Sequence, residues 1–234
     1  MRAVSMWSGG KDSCFALYKA ISKGIDVCCL LNFITKEGSS ISQGVDSKVV
    51  LAQSEALGIP MVQRRVDWGS REKYEQDFKR TLREQKRRGV EAAVFGDIYD
   101  FPDHEGWNER VCREVGIKTI TPLWGKDPKQ LITDFVKEGF EAFVVKTKAD
   151  LLNKEWIGRK IDEAFIKDLM TLNEKVKIDF CGELGEYHTL VCDGPIFKKR
   201  LEILDFSKKS NEGYWLIDIK DFKIVEKNNR NISA

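Results

Sequence analysis

Two hydrophobic rhythms alternate through the first half of the chain. Residues 2–7 and 25–33 are apolar almost throughout, as strands buried on both faces are. Between them, Cys14, Leu17, Tyr18 and Ile21 recur at helical spacing, which predicts a helix over 11–23 that stops at Gly24. The alternation continues with a helix over 47–57, ended by Gly58 with Pro60 beyond it, and a strand over 61–66. A polar helix over 71–88 follows, with Tyr74, Phe78 and Leu82 spaced four apart and Gly89 at its end. A strand over 92–95, a helix over 103–115 and a strand over 118–121 complete the series. Strands alternating with helices predict an α/β fold, a doubly wound five-stranded parallel sheet of Rossmann-like type. Such sheets bind ligands at the C-terminal ends of their strands, near the point where strand order reverses.

The rhythm changes after 122–125. A helix over 129–138, a strand over 140–145 and a helix over 159–172 lead into strands over 187–192, 201–206 and 214–219. Asp193-Gly194-Pro195 and Asn211-Glu212-Gly213 read as turns. The expected division is therefore a nucleotide-type unit over 1–124 and a smaller α+β unit over 125–234 that completes a substrate cleft. The polar stretch 227–234 is expected to fray.

Lys and Arg number 39 against 37 Asp and Glu, a net charge of +2. That balance excludes a strongly basic nucleic-acid scaffold, so no direct nucleic-acid partner is expected. A charged fraction of 32% with both signs mixed is of the kind common in proteins from hot environments. The six cysteines form no C-x-x-C pair, so no metal site is predicted. Adjacent Cys28 and Cys29 are expected on opposite faces of their strand. The opening residues lack the pattern of a signal peptide, and the longest apolar run, near 27–31, is too short to span a membrane. A cytoplasmic protein with reduced thiols and no membrane partner is the expectation.

The candidate chemistry lies in Ser8-Gly9-Gly10-Lys11-Asp12-Ser13, between the first strand and the first helix. Gly9 and Gly10 permit positive φ and close approach of backbone to a ligand. The helix start offers unpaired N–H groups, Ser8 and Ser13 add hydroxyls, and Lys11 adds a full charge. An ordinary capped turn is the plain alternative. Six adjacent residues of suitable type favour an oligophosphate site.

This loop resembles the PP-loop of the ATP pyrophosphatase superfamily, the adenine nucleotide alpha hydrolases, whose sheet (the HUP type) is the one predicted above. The resemblance implies ATP, with Mg²⁺ mainly on its phosphates. It also implies adenylation of a carboxylate and displacement of AMP by a nucleophile. Position 2 is Arg2, not the catalytic cysteine of glutamine-dependent relatives, so ammonia itself is the expected donor. Two further stretches resemble the diphthine–ammonia ligase family. One comprises Gly96-Asp97-Ile98, Trp107, Val111-Cys112 and Pro122-Leu123-Trp124; the other runs from Cys181-Gly182-Glu183-Leu184-Gly185-Glu186 through Tyr187-His188-Thr189 to Asp193-Gly194-Pro195. The similarity covers residues 5 to about 197. It departs at Ser39-Ser40-Ile41-Ser42-Gln43-Gly44, where many members carry Tyr-Met and a nearby His. What it implies is amidation of diphthine on elongation factor 2, in a cytoplasmic enzyme of a size that is often a homodimer. A ligase for a small-molecule carboxylate and a non-catalytic ATP sensor are the alternatives.

On that resemblance, Lys11, Glu183, Glu186 and His188 are the candidate catalytic residues, with Tyr187 and Thr189 beside the last three in the acceptor site. Alone, the spacing of Glu183, Glu186 and His188 reads more readily as a strand entry with surface carboxylates and a packed histidine. Near its ordinary pKa, a His would suit proton transfer at neutral pH. ATP is expected on residues 8–13, on Asn32 and Phe33 through backbone groups, and on Gly96 and Asp97 at the end of the fourth strand. Asp97 could equally cap a turn, and His104 reads as a surface residue at a helix start.

Overall fold

A computed structural model describes residues 1–100 and 106–227. Its first half contains β1 (Arg2–Met6), α1 (Lys11–Ser22), β2 (Asp26–Ile34), α2 (Ser47–Leu57) and β3 (Met61–Arg65). These are followed by α3 (Arg71–Arg87), β4 (Ala92–Val94), α4 (Trp107–Val115) and β5 (Lys118–Ile120). Gly58 ends α2 with φ 69°, and Ser70 caps α3 by accepting the Lys73 N–H at 3.4 Å. All five strands are parallel, in the order β3-β2-β1-β4-β5. The chain winds outward from β1 through β2 and β3, then returns to β4 on the other side. Strand order therefore reverses between β1 and β4, and their C-terminal ends flank a crevice.

Two local expectations change. The described part of α4 begins at Trp107, and Asp103 and His104 lie outside the described residues. In β2, Ala3 pairs with Val27 but Val4 pairs with Cys29, so Cys28 is the extra residue of a bulge. The bulge breaks the alternation, and Cys28 and Cys29 pack against the same cluster instead of opposite faces.

The second half contains α5 (Pro128–Lys137), β6 (Glu141–Lys148), α6 (Glu163–Asn173), β7 (Tyr187–Asp193), β8 (Lys199–Asn211) and β9 (Tyr214–Glu226). Its strands form an antiparallel sheet in the order β7-β6-β9-β8. Helix α6 starts later than expected because Asp162 accepts the Phe165 N–H at 2.8 Å and fixes the first turn there. Strands β8 and β9 are 13 residues each, longer than the apolar pattern shows. The added part of β8, Ser207-Lys208-Lys209-Ser210-Asn211, is polar on both faces and carries no burial signal. Its pairing is closed by a two-residue turn with Glu212 at φ 47° and Gly213 at φ 82°, the signs a type I′ hairpin needs.

One hydrophobic cluster joins the halves. Phe15 of α1 meets Phe135 of α5 at 5.9 Å and Phe140 at 5.8 Å, both edge to face. Trp7, Phe165 and Tyr187 belong to the same cluster. Burial of a ring of this kind is worth about 1.5–3 kcal/mol, so the walls between the two sheets are held by shared core. Among the described residues no helix is long and apolar enough to cross a membrane.

Candidate active site

Residues 8–13 leave the C-terminal end of β1 and turn into α1. Gly9 takes φ 94°, which a side chain would strain. The two serines fold the loop on itself. Ser8 Oγ accepts the Gly10 N–H at 3.2 Å and lies 3.0 Å from Ser13 Oγ, which donates to the Gly10 carbonyl at 3.0 Å. Gly10 starts α1 without a side-chain cap. The helix thus presents its positive end to the crevice.

The loop is docked onto the second sheet. The Gly9 carbonyl accepts the Val191 N–H at 3.0 Å and the Gln53 amide at 2.9 Å. Gln53 is fully buried; it also donates to the Val191 carbonyl at 2.7 Å and accepts from Trp7 Nε1 at 2.9 Å. Thr189 Oγ1 accepts the Lys11 N–H at 3.0 Å, while the Thr189 N–H donates to Gln43 Oε1 at 3.1 Å. Thr189 therefore holds the loop.

Lys11 is 3% exposed. Its Nζ lies 2.9 Å from Asp12 Oδ2, donates to the Cys181 carbonyl and sits 5.1 Å from the centre of the Tyr187 ring. Burial alone would lower its pKa, but Asp12 and the neighbouring acidic groups outweigh burial and hold it raised. The ammonium is therefore charged at neutral pH.

The turn 179–186 is fastened by two carboxylates. Asp179 Oδ1 accepts the N–H groups of Cys181 at 2.7 Å and Glu183 at 3.2 Å, and its Oδ2 accepts the Tyr99 hydroxyl at 2.8 Å. Glu186 is 3% exposed and accepts the N–H groups of Asp179 at 2.8 Å and Leu184 at 2.9 Å. Its carboxylate is thus turned into its own loop. Glu183, by contrast, lines the crevice. Burial, reinforced by Asp12, pushes its carboxyl up to about 9, so it is protonated at neutral pH.

These groups surround a cavity of about 390 Å³ at the ends of β1, β2 and β4. Ser8, Lys11, Asp12, Ser13, Asn32, Phe33, Gly96, Asp97, Glu183, Tyr187, His188 and Thr189 all line it. Asn32 spends its side chain inside the protein, donating to the Trp7 carbonyl at 2.8 Å and accepting from Gln63 at 3.1 Å. Gly96 is needed because a Cβ there would lie 2.8 Å from the backbone of Asp12 and Ser13. The close approach is thus to the start of α1. Another part of the lining is aromatic: Tyr74 and Phe78 from α3, Phe33, Trp68, Phe95 and Trp107.

The charge of the lining bears on ATP and magnesium. Among the described lining residues Lys11 is the one cation, against Asp12, Asp97, Asp100 and Glu183. A triphosphate entering this cavity needs additional positive charge. Protonated Glu183 removes one negative charge, and a divalent ion carried on the phosphates would supply the rest. Among the described residues, no three His, Cys, Asp or Glu side chains gather as a metal site of their own.

His188 departs from the expected ordinary histidine. Burial first, then Lys146 and Lys11, push it down to about 4. Its ring is neutral at pH 7, able to accept a hydrogen bond but too weak a base to keep a proton. The unfolded chain takes up that proton near pH 6.5, the folded chain only near pH 4. The histidine's contribution is therefore present above pH 6.5 and lost as pH falls toward 4. Denaturant titrations should show wild type losing more stability over this window than His188→Asn; equal losses would count against the buried neutral ring.

The sequence comparisons agree with this geometry. Residues 1–119 match the family model for the diphthamide synthase N-terminal domain, and residues 127–225 match that for the C-terminal domain. A diphthine–ammonia ligase of Schizosaccharomyces pombe is 33% identical over 222 residues, covering 88% of this chain and 36% of the relative. The chain thus spans about a third of that protein's length. A diphthine–ammonia ligase of Danio rerio is 29% identical over 224 residues, covering 87% of this chain and 86% of the relative. A solved chain described as a predicted subunit of tRNA methyltransferase from Methanocaldococcus jannaschii aligns with a TM-score of 0.45 and 18% identity, over 82% of this chain and 96% of that one.

Proposed function

The chain belongs to the diphthamide synthase family, and on that premise we propose that it is an ATP-dependent carboxylate–ammonia ligase acting on diphthine of elongation factor 2. The observation that carries the reading is the Ser8–Ser13 loop at the β1–β4 switch point, with Lys11 charged and facing Glu183 across one cavity. A diphthine carboxylate oxygen attacks the α-phosphorus of ATP, forming a P–O bond as pyrophosphate leaves. Ammonia then attacks the acyl carbon; the C–O bond to AMP breaks and one ammonia proton passes to solvent. Lys11, the two serines and the first-turn N–H groups take the charge that grows on departing pyrophosphate.

Mg²⁺ would be held mainly by the phosphates, with Asp12, the carboxylate nearest the loop lysine, the residue placed to approach it. It supplies charge neutralisation. Glu183 and neutral His188 face the acceptor side, where the His188 ring accepts a hydrogen bond from entering ammonia. Glu186 and Thr189 act by position, the first on the 179–186 turn and the second on the loop. Residues 1–124 supply the nucleotide site and 125–234 the second wall. The reading places the work in the cytoplasm, without direct nucleic-acid contact, and is compatible with a homodimer.

Phosphorus NMR of the protein with Mg-ATP and ammonium, with and without diphthine-bearing elongation factor 2, tests it. AMP and pyrophosphate should form only with that acceptor. ATP binding without acceptor-dependent turnover would reject the acceptor and leave a small carboxylate or a sensor role.

A further inference from the structure

We propose that Trp68, Tyr74 and Trp107, with the Asp97 carboxylate in the same cavity, form the seat for the quaternary ammonium group of the acceptor. This rests on the ligase reading above, because diphthine carries a trimethylammonium on the same carbon as the carboxylate to be amidated.

The three rings make a corner. Trp68 meets Tyr74 edge to face, with centroids 5.0 Å apart and planes at 84°. Tyr74 stacks on Trp107 at 6.0 Å and 17°. A cation that cannot donate hydrogen bonds is held by ring faces and by nearby negative charge, and such a corner offers both. Asp97 lines the same cavity as the three rings.

Two observations favour the acceptor over adenine as the occupant. Trp68 is 57% exposed on the cavity's rim, where a group presented by a large protein arrives first. Lys11, the one cation among the described lining residues, is committed to the phosphate loop, so among the described residues no cation of the cavity's own occupies the aromatic end. Asp97 also sets the reach. Gly96, the preceding residue, touches the backbone of Asp12 and Ser13 at the start of α1. Asp97 thus follows a residue packed on the start of α1 and lines one cavity with the three rings, so an ammonium seated on them has its neighbouring carboxylate in the cavity that the phosphate loop also lines.

The test uses the full chain as wild type, Trp68→Leu and Trp68→Phe. Steady-state AMP formation gives the KM for acceptor and for ATP. Saturation-transfer NMR on the N-methyl protons of trimethylglycine, with glycine as comparator, reads binding without turnover. Trp68→Leu should raise the acceptor KM about tenfold, leave the ATP KM unchanged and abolish the methyl signal, while Trp68→Phe restores most of both. A raised ATP KM with unchanged acceptor KM would assign the corner to adenine and overturn the proposal. Normal turnover with no change in either KM would also overturn it, with the ligase reading intact. Loss of the methyl signal on Trp68→Leu in a protein without diphthine turnover would uphold the corner and reject the ligase reading instead.

Discussion

Lys11→Ala should lower kcat/KM for acceptor-dependent AMP formation by about two to three orders of magnitude, the usual cost of removing one preorganised charge donor. The lysine enters the free site already ordered, held by Asp12, the Cys181 carbonyl and the Tyr187 ring. Its charge is therefore fixed before phosphate arrives, and little reorganisation accompanies the reaction. The substitution also leaves Asp12 and the Cys181 carbonyl without their partner, at a cost to stability of about 1–3 kcal/mol. A melting curve run beside the kinetics separates the two effects. A folded variant that forms AMP at the wild-type rate would remove Lys11 from the mechanism.

The second large effect is on stability. Gln53→Leu should destabilise the protein by roughly 2–4 kcal/mol, because it leaves the Trp7 indole N–H and the Val191 carbonyl without the amide in a buried setting. For a chain of this size that corresponds to a melting temperature lower by about 5–15 °C. ATP affinity should weaken as well, since the Gly9 carbonyl loses one of its two donors. Guanidinium denaturation midpoints and ATP titration check both. An unchanged midpoint would show that the amide contributes nothing to docking.

What was legible in the chain follows from how far each interaction reaches. The parallel sheet could be read because every strand and helix carries its own hydrophobic period and its own glycine stop. The phosphate loop could be read because six consecutive residues contain it. Gln53, Gln43 and Asp179 could not, because their partners are distant in sequence and a buried amide or carboxylate leaves no periodic trace. Tyr74 and Phe78 did register, but as the apolar stripe of α3; only Trp68 and Trp107 beside them turn that stripe into a wall of the cavity. Glu186 looked equivalent to Glu183 because both flank Gly185 in one short turn. Their roles separate only when one carboxylate folds back on its own backbone and the other faces the cavity. The state of the His188 ring could not be read either, because its burial, and Lys146 opposite it on β6, are set by packing and sheet register.

The anchoring of Gly9 and Lys11 to Val191 and Thr189 has a consequence for the order of synthesis. The strand that holds the phosphate loop leaves the ribosome about 180 residues after the loop itself, a gap that long-range closure makes slow to bridge. A nascent chain ending before Tyr187 carries the whole Ser-Gly-Gly-Lys-Asp-Ser motif yet lacks the acceptor for the Lys11 N–H. The motif is therefore held in its final shape only once that distant strand has been made.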